Sequence, residues 1–359
     1  METKNYSTVS QQNSNLYQKS ALFRASASVE SAAPLPEVFL SYDEMQSLRR
    51  AFSKLTILDC RHALAVQPIL SQTFRAVVSE DKVARLDQFA ASSEHMLVVR
   101  HLPIDDILPP TPCARDLGLY ETSLATASIL GIFGCIGIHP LAYQGENDDS
   151  FIRHVVPKRR AEGTLSSYGS RLDLGMHVDN PHLPLIGEPV QTLSACPEFL
   201  SLTGIRCELA VPTRLLSVQE VLESLPPEVI HMLQQPLYTI KRPESFSEQR
   251  YRLVAPLVLQ DSNGRYLCRY NKANVEANTR EALDALTALE HAIQQYPVKR
   301  VLLQQGDMLI FKNQQTFHAR DAFTPRFDGL DRWMIRVFGI RDMGRTIAVH
   351  PDQPYIVKA

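Results

Sequence analysis

The feature that most limits how this chain can fold is a change of texture near residue 135. Beyond it, short β-prone segments recur at fairly even spacing, at 135–143, 151–156, 172–178, 199–206, 236–240, 254–259, 266–270, 301–303, 308–312, 316–319 and 332–340, separated by turn residues. Many short strands in this rhythm suggest a β-sandwich or barrel. Two helical inserts interrupt them. One covers 217–235 and is broken at Pro226-Pro227; the other covers 278–295, where Leu283, Leu286, Leu289 and Ile293 form an amphipathic stripe. The expected architecture is mainly β, a jelly roll with helices packed on one outer face.

Before residue 135 the chain reads as helical. Residues 1–34, rich in Ser, Gln and Asn and then in small residues, look like a solvated tail. From 35 to 58 the apolar positions Val38, Phe39, Met45, Leu48, Phe52 and Leu55 recur at helical spacing, with capping chemistry at Ser41 and Asp43. A second helical pattern covers 69–89 and a third, almost wholly apolar, covers 123–132, while 95–101 reads as a short buried strand entering a Pro-rich loop. Residues 35–359 are therefore expected to form a single domain, with 35–134 mostly helical and 135–342 the β core carrying the two inserts.

Composition excludes several function classes. With 37 Lys+Arg against 39 Asp+Glu, the formal net charge of −2 gives no electrostatic footprint for nucleic acid or an anionic membrane. No apolar run approaches the ~20 residues of a membrane-spanning helix. The polar first thirty-odd residues lack the apolar stretch of a secretory signal. Cys60, Cys113, Cys135, Cys196, Cys207 and Cys268 are scattered without metal-binding spacing and read as reduced core thiols of a cytoplasmic protein.

Chemistry concentrates at two places. In His177-Val178-Asp179 the outer residues of a strand tripeptide share a face, so one imidazole and one carboxylate project together. That is two thirds of the two-His-one-carboxylate set that leaves open positions on a non-haem Fe(II). Alone the tripeptide is weak; His350-Pro351-Asp352 has the same form, but proline interrupts it and no histidine follows. A second cluster changes the weight. Gly306-Asp307 feeds an apolar strand, a polar bend follows, and His318 sits on the next strand. Arg332 comes soon after, on a strand whose Arg332, Met334, Arg336 and Phe338 share one face. Either both arginines face water while Trp333, Ile335 and Val337 face the core, or they face inward and each meets an anion, for which the planar guanidinium is a natural carboxylate clamp.

In these motifs the sequence resembles the Fe(II)/2-oxoglutarate-dependent oxygenases of the clavaminate synthase-like group, in particular the subfamily of arginine β-hydroxylase, asparagine oxygenase and the lysine hydroxylases. The resemblance spans roughly residues 95–342. It rests on Gln144-Gly145, Ser166-Ser167, the His177/Asp179 tripeptide, the segment 197–206, Gly306-Asp307, Phe311-x-Asn313, His318-x-Arg320, Asp328-Gly329 and Arg332-Trp333-x-x-Arg336, in that order.

The resemblance implies a double-stranded β-helix, a distorted jelly roll, with Fe(II) held by His177, Asp179 and His318. It implies Arg332, with Thr203 as a hydroxyl partner, on the distal carboxylate of 2-oxoglutarate. Arg336, Gln144 and Ser167 would contact the carboxylate and amino groups of an amino acid substrate, and Asn271 would lie against its side chain. The reaction implied consumes O2 and 2-oxoglutarate, releases succinate and CO2, and hydroxylates a substrate C–H. The carboxylate at position 179 argues for hydroxylation or desaturation over halogenation, since related halogenases carry a small residue there.

The chain departs from the arginine hydroxylases at 269–274, where Asn271, Lys272 and Asn274 cannot neutralise a guanidinium. An inward Lys272 would repel a cationic side chain and favour a neutral or acidic amino acid. A lysine substrate would then require Glu146, Asp148 or Asp149 to supply the missing charge. An aminoacyl group on a carrier protein, or a small peptide, is the alternative substrate. A non-catalytic jelly-roll binding protein is the more distant alternative.

Overall fold

The structure, a computed structural model, describes residues 34–359 apart from positions 56, 58, 114–116, 118, 162, 164–169, 208–210 and 249. The expected tail at 1–34 lies almost wholly outside the described residues. Leu35–Ala359 form one compact unit.

The chain opens with strand β1 (Glu37–Phe39) and helices α1 (Tyr42–Phe52), α2 (Cys60–Val77) and α3 (Glu80–Ala91). Strand β2 (Met96–Arg100), helix α4 (Ser123–Cys135) and strands β3 (His139–Tyr143), β4 (Arg153–Val155), β5 (Leu174–His177), β6 (Phe199–Arg206) and β7 (Thr213–Ser217) follow. Helices α5 (Val218–Glu223) and α6 (Pro227–Leu233) lead to β8 (Tyr238–Lys241), β9 (Arg252–Ala255), β10 (Val258–Gln260), β11 (Tyr266–Cys268) and β12 (Val275–Ala277). Helix α7 (Arg280–Gln295) precedes β13 (Lys299–Val301), β14 (Met308–Lys312), β15 (Thr316–Arg320), β16 (Trp333–Ile340), β17 (Ala348–His350) and β18 (Gln353–Val357).

The strands form a large sheet in the order β1-β2-β14-β6-β16-β3-β18-β17, with β4 also pairing β16, and a smaller sheet in the order β13-β7-β15-β5. Period-two alternation divides the large sheet between two cores. Leu97, Val99, Phe199, Ile205, Met308, Ile310, Trp333, Ile335 and Val337 pack with residues of α1–α4. Their neighbours Met96, Val98, Leu200, Leu202, Leu309, Phe311, Met334 and Phe338 pack in a second cluster that includes Leu215 of the smaller sheet. A third cluster joins Leu216 and Phe317, on the other side of the smaller sheet, to residues of α5, α6 and α7. The result is the jelly roll expected from the strand rhythm, two sheets face to face, but the helices lie outside both sheets and not on one outer face, because each sheet has its own apolar outer surface to cover. It also decides between the two orientations of the arginine-bearing strand: Trp333, Ile335 and Val337 face the helices, and Arg336 faces the space between the sheets.

Several boundaries differ from the expectation. Val38 and Phe39 belong to β1, parallel to β2, and the helix begins only at Tyr42 because Ser41 caps it. The pattern at 69–89 is two helices, separated at Val78 and Ser79. The 217–235 insert is two short helices, α6 starting at Pro227, where a missing N–H costs nothing. The hairpin β17–β18 was not foreseen; its pairing with β3 extends the large sheet beyond residue 342. No described helix is long and apolar enough to cross a membrane.

Glu44 ties the starts of two of these helices, α1 and α3. Its Oε2 accepts from Ser41 N–H (2.6 Å) in a capping box and from Lys82 Nζ (2.6 Å), and Oε1 accepts from Ser79 N–H (2.9 Å). Burial alone would raise its pKa, but these donors outweigh it and hold the carboxyl at about 2. A group depressed in the folded state stabilises above its unfolded pKa and loses that contribution as pH falls toward the folded one. Glu44→Gln is therefore expected to destabilise by about 1–2 kcal/mol at pH 7. Denaturant unfolding should show the gap to the parent protein closing as pH drops from about 4.5 toward 2; a gap independent of pH would contradict this account.

Candidate metal centre and substrate pocket

Strands β5 and β15 pair antiparallel in a register that sets His177 opposite His318, and Leu215 of β7 opposite His318 on the other side. Opposed residues on antiparallel strands project to one face. The buried Leu215 side chain marks that face as the one looking toward the large sheet. The two imidazoles meet there, ring centroids 4.1 Å apart and tilted by 44°. Asp179 lies just past the end of β5, with Oδ1 3.3 Å from His177 Nε2 and 3.9 Å from His318 Nε2. One donor atom from each residue lies within 4.8 Å of the other two, the one group of this kind among the described residues.

Local contacts prepare these atoms as ligands. His177 Nδ1 lies 2.8 Å from the Gly175 carbonyl, to which it can only donate, so Nε2 presents its lone pair to the site. Burial first, and the adjacent His177 second, lower the His318 pKa to about 3, so its ring is neutral at pH 7. Burial pushes the Asp179 carboxyl up, but the contact with His177 and the charge of Arg336 outweigh it and keep the group ionised. Two imidazoles and one carboxylate, without thiolate, suit an exchangeable divalent iron. The residues present fit the metal that the motif implies.

The arginines divide into two environments. Arg336 Nη1 donates to Asp179 Oδ2 (3.2 Å) and Nη2 to Glu146 Oε1 (2.8 Å). Glu146, only 3 % exposed, also accepts from Arg153 Nη1 (2.9 Å), and its Oε2 lies 3.5 Å from Asn180 Nδ2. Arg332 is different: 5 % exposed, it has no hydrogen bond or ion pair among the described residues, and its Nε is buried without a partner. Arg320, two residues after His318, donates to carbonyls at 3.4–3.5 Å, lies over the Phe323 ring and feels the charges of Asp173 and Asp321. Burial lowers both to about 10, Arg332 further by the charge of Arg320, yet both stay protonated at pH 7. Arg332, a buried cation lacking a carboxylate, leaves a place for an anion.

Other expected contacts fall elsewhere. Thr203 is opposite Ile335 and Met308, on the face turned to the helices; its Oγ1 is buried there without a partner, so it does not reach the inter-sheet space. The expected register was off by one residue, and a one-residue slip reverses the face of a strand side chain. Gln144 is exposed at the end of β3; the turn at Gly145, with φ of +80°, carries the chain round so that Glu146 is the residue buried beside Arg336. Ser167 lies outside the described residues. Asn271 pairs through its backbone with His177, and its side-chain Oδ1 accepts from Ala273 N–H (3.1 Å). Lys272 points outward, its side chain 70 % exposed, and pairs with Glu290 at 3.0 Å. It places no charge in the pocket, which removes the repulsion expected of an inward Lys272, while the lack of an acid at 269–274 remains.

Sequence reasoning gave no weight to Glu146 as a partner of Arg336, and none to Asn313 as a support of Asp179. An acid directly after a Gln-Gly turn carries no signal of burial until Arg153 and Arg336, on separate strands, are seen to converge on it.

Comparison with known proteins gives one answer. The sequence pattern of the taurine catabolism dioxygenase TauD, TfdA family matches residues 115–338. The chain is 31 % identical over 270 residues to the L-asparagine oxygenase of Streptomyces coelicolor, covering 73 % of this chain and 76 % of that protein. It is 27 % identical over 319 residues to the L-lysine 3-hydroxylase of Catenulispora acidiphila, covering 86 % and 84 %. The solved structure of asparagine oxygenase with Fe(II), 3-hydroxyasparagine and succinate superposes with a TM-score of 0.77 at 26 % identity, over 90 % of this chain and 99 % of that one. The chain belongs to the TauD, TfdA family of 2-oxoglutarate-dependent non-haem iron dioxygenases.

Proposed function

We propose that this protein is an Fe(II)- and 2-oxoglutarate-dependent hydroxylase of a free L-amino acid, with His177, Asp179 and His318 as the iron ligands. The observation that carries the reading is the convergence of those three donors between the sheets, together with the buried, unneutralised Arg332. The relatives, named for hydroxylation or oxygenation of lysine and asparagine, support the substrate class.

When bound, iron with 2-oxoglutarate and O2 supplies the oxidation of a C–H bond, with succinate and CO2 released. The chain's own residues bind and orient. Arg332 grips the distal carboxylate of 2-oxoglutarate; a dianionic co-substrate would satisfy the charge that the protein leaves open there. Arg336 and Glu146 are adjacent, opposite charges at the same wall, and match the carboxylate and ammonium of an α-amino acid zwitterion. Arg336 would exchange part of its hold on Asp179 Oδ2 for the substrate carboxylate, while Glu146 takes the ammonium. Fixing both α-groups places the side-chain carbons at a set distance from the ligand triad, which is how position of oxidation is chosen.

A screen for succinate release with Fe(II), 2-oxoglutarate and single amino acids tests the reading; no stimulation by any free amino acid would contradict it. His177→Ala and His318→Ala should each abolish metal binding and succinate release together. Arg332→Ala should still bind metal but raise the KM for 2-oxoglutarate by roughly 10- to 150-fold, the loss of a charge-assisted contact of about 1.5–3 kcal/mol. Glu146→Gln should raise the KM for the amino acid and leave that for 2-oxoglutarate unchanged. Full turnover by Arg336→Ala would show that the substrate has no free carboxylate, as in a carrier-tethered aminoacyl group.

A further inference from the structure

Asp179 has a difficulty that the two histidines do not share. His177 and His318 sit on paired strands, where the ladder fixes their backbones. The last backbone bond before Asp179 is made by Val178, whose N–H reaches the Tyr270 carbonyl at 2.8 Å. Beyond it the chain turns: Asn180 has φ of +54° and Pro181 follows. Asp179 therefore lies past the sheet, with a peptide N–H and C=O that no strand meets.

Asn313 meets them instead. Its Oδ1 accepts from the Asp179 N–H at 3.0 Å, and its Nδ2 donates to the Asp179 carbonyl at 3.0 Å and to the Pro197 carbonyl at 3.1 Å. A carboxamide carries the donor and acceptor of a peptide group, so a single side chain can imitate the missing neighbouring strand. Asn313 is 0 % exposed and sits in the bend that carries the chain from β14 of the large sheet to β15 of the smaller one, the strand that bears His318. The bend thus connects the carboxylate at 179 to the strand that carries the imidazole at 318. The next residue, Gln314, is equally buried and holds the bend to other segments: its Nε2 donates to the Cys196 carbonyl (3.0 Å) and its Oε1 accepts from Ile186 N–H (2.9 Å).

We propose that Asn313 is the positioning residue of the iron centre: its carboxamide, gripping both peptide groups of Asp179, sets where that carboxylate stands relative to the two histidines. The inference rests on the assignment of His177, Asp179 and His318 as iron ligands. Supports of metal ligands of this kind typically carry about 10- to 100-fold in metal affinity.

The test compares Asn313→Ala and Asn313→Ser with Gln314→Ala, each titrated with Co(II) as an optical probe and each heated without metal. Both Asn313 variants should weaken Co(II) binding by roughly 10- to 100-fold. Gln314→Ala should lower the melting temperature of the metal-free protein at least as much while keeping Co(II) binding within about twofold of the parent. If Asn313→Ala does not fold, the smaller change in Asn313→Ser, which keeps a polar group, gives the answer. Parent-like Co(II) affinity in the Asn313 variants, or an equal loss in Gln314→Ala, would overturn the proposal. Failure of the parent protein to bind Co(II) at all would instead overturn the assignment of the ligands.

Discussion

The structure depends on one register, that which sets His177 of β5 against His318 of β15. Side-chain period along a strand is two, so moving either strand by a single residue would turn one imidazole to the far side of the sheet, among the residues that pack on α5–α7. Burial specifies that register. Phe317 must enter the outer core and Leu215 the inner one, and with both satisfied His318 has only one face to occupy. The metal centre is in this sense a by-product of correct packing, and the cost of placing polar groups between two sheets is met because each of them finds an ion, a hydrogen bond or a ligand.

Charge is the second constraint. The inter-sheet space holds Asp179 and Glu146 against Arg153, Arg320, Arg332 and Arg336. The Glu146 cluster is internally matched through Arg153 and Arg336, and Arg320 feels the charges of Asp173 and Asp321, whereas Arg332 is not matched by any described carboxylate. A folded protein tolerates such an excess where an anionic ligand belongs. The asymmetry leaves Arg332 unmatched beside a matched group of charges around Glu146. Arg336 spans Asp179 and Glu146 at once.

The strands that bear chemistry were legible because strand rhythm and residue type agree there. The alternation on β16 gave the face of Arg336, and the motifs around His177, Asp179 and His318 named three side chains that the fold brings together. What sequence could not supply was register between distant strands. Thr203 is one residue away from the inner face of β6, and periodicity alone cannot choose between alternate positions of an all-buried strand. Glu146, two residues from the exposed Gln144, became visible only through the turn at Gly145. Lys272 was ambiguous until Glu290 on α7 drew it outward. Val38 and Phe39 fit a helical spacing, but their pairing with β2 overrides it.

The account stands or falls on one iron atom and three side chains. Crystals grown without oxygen in the presence of Fe(II) and 2-oxoglutarate, measured on both sides of the iron absorption edge, give the most direct test. The account predicts a single anomalous peak between the sheets, bonded to Nε2 of His177, Nε2 of His318 and one carboxylate oxygen of Asp179. A peak elsewhere, or one that leaves His318 uncoordinated, would contradict it.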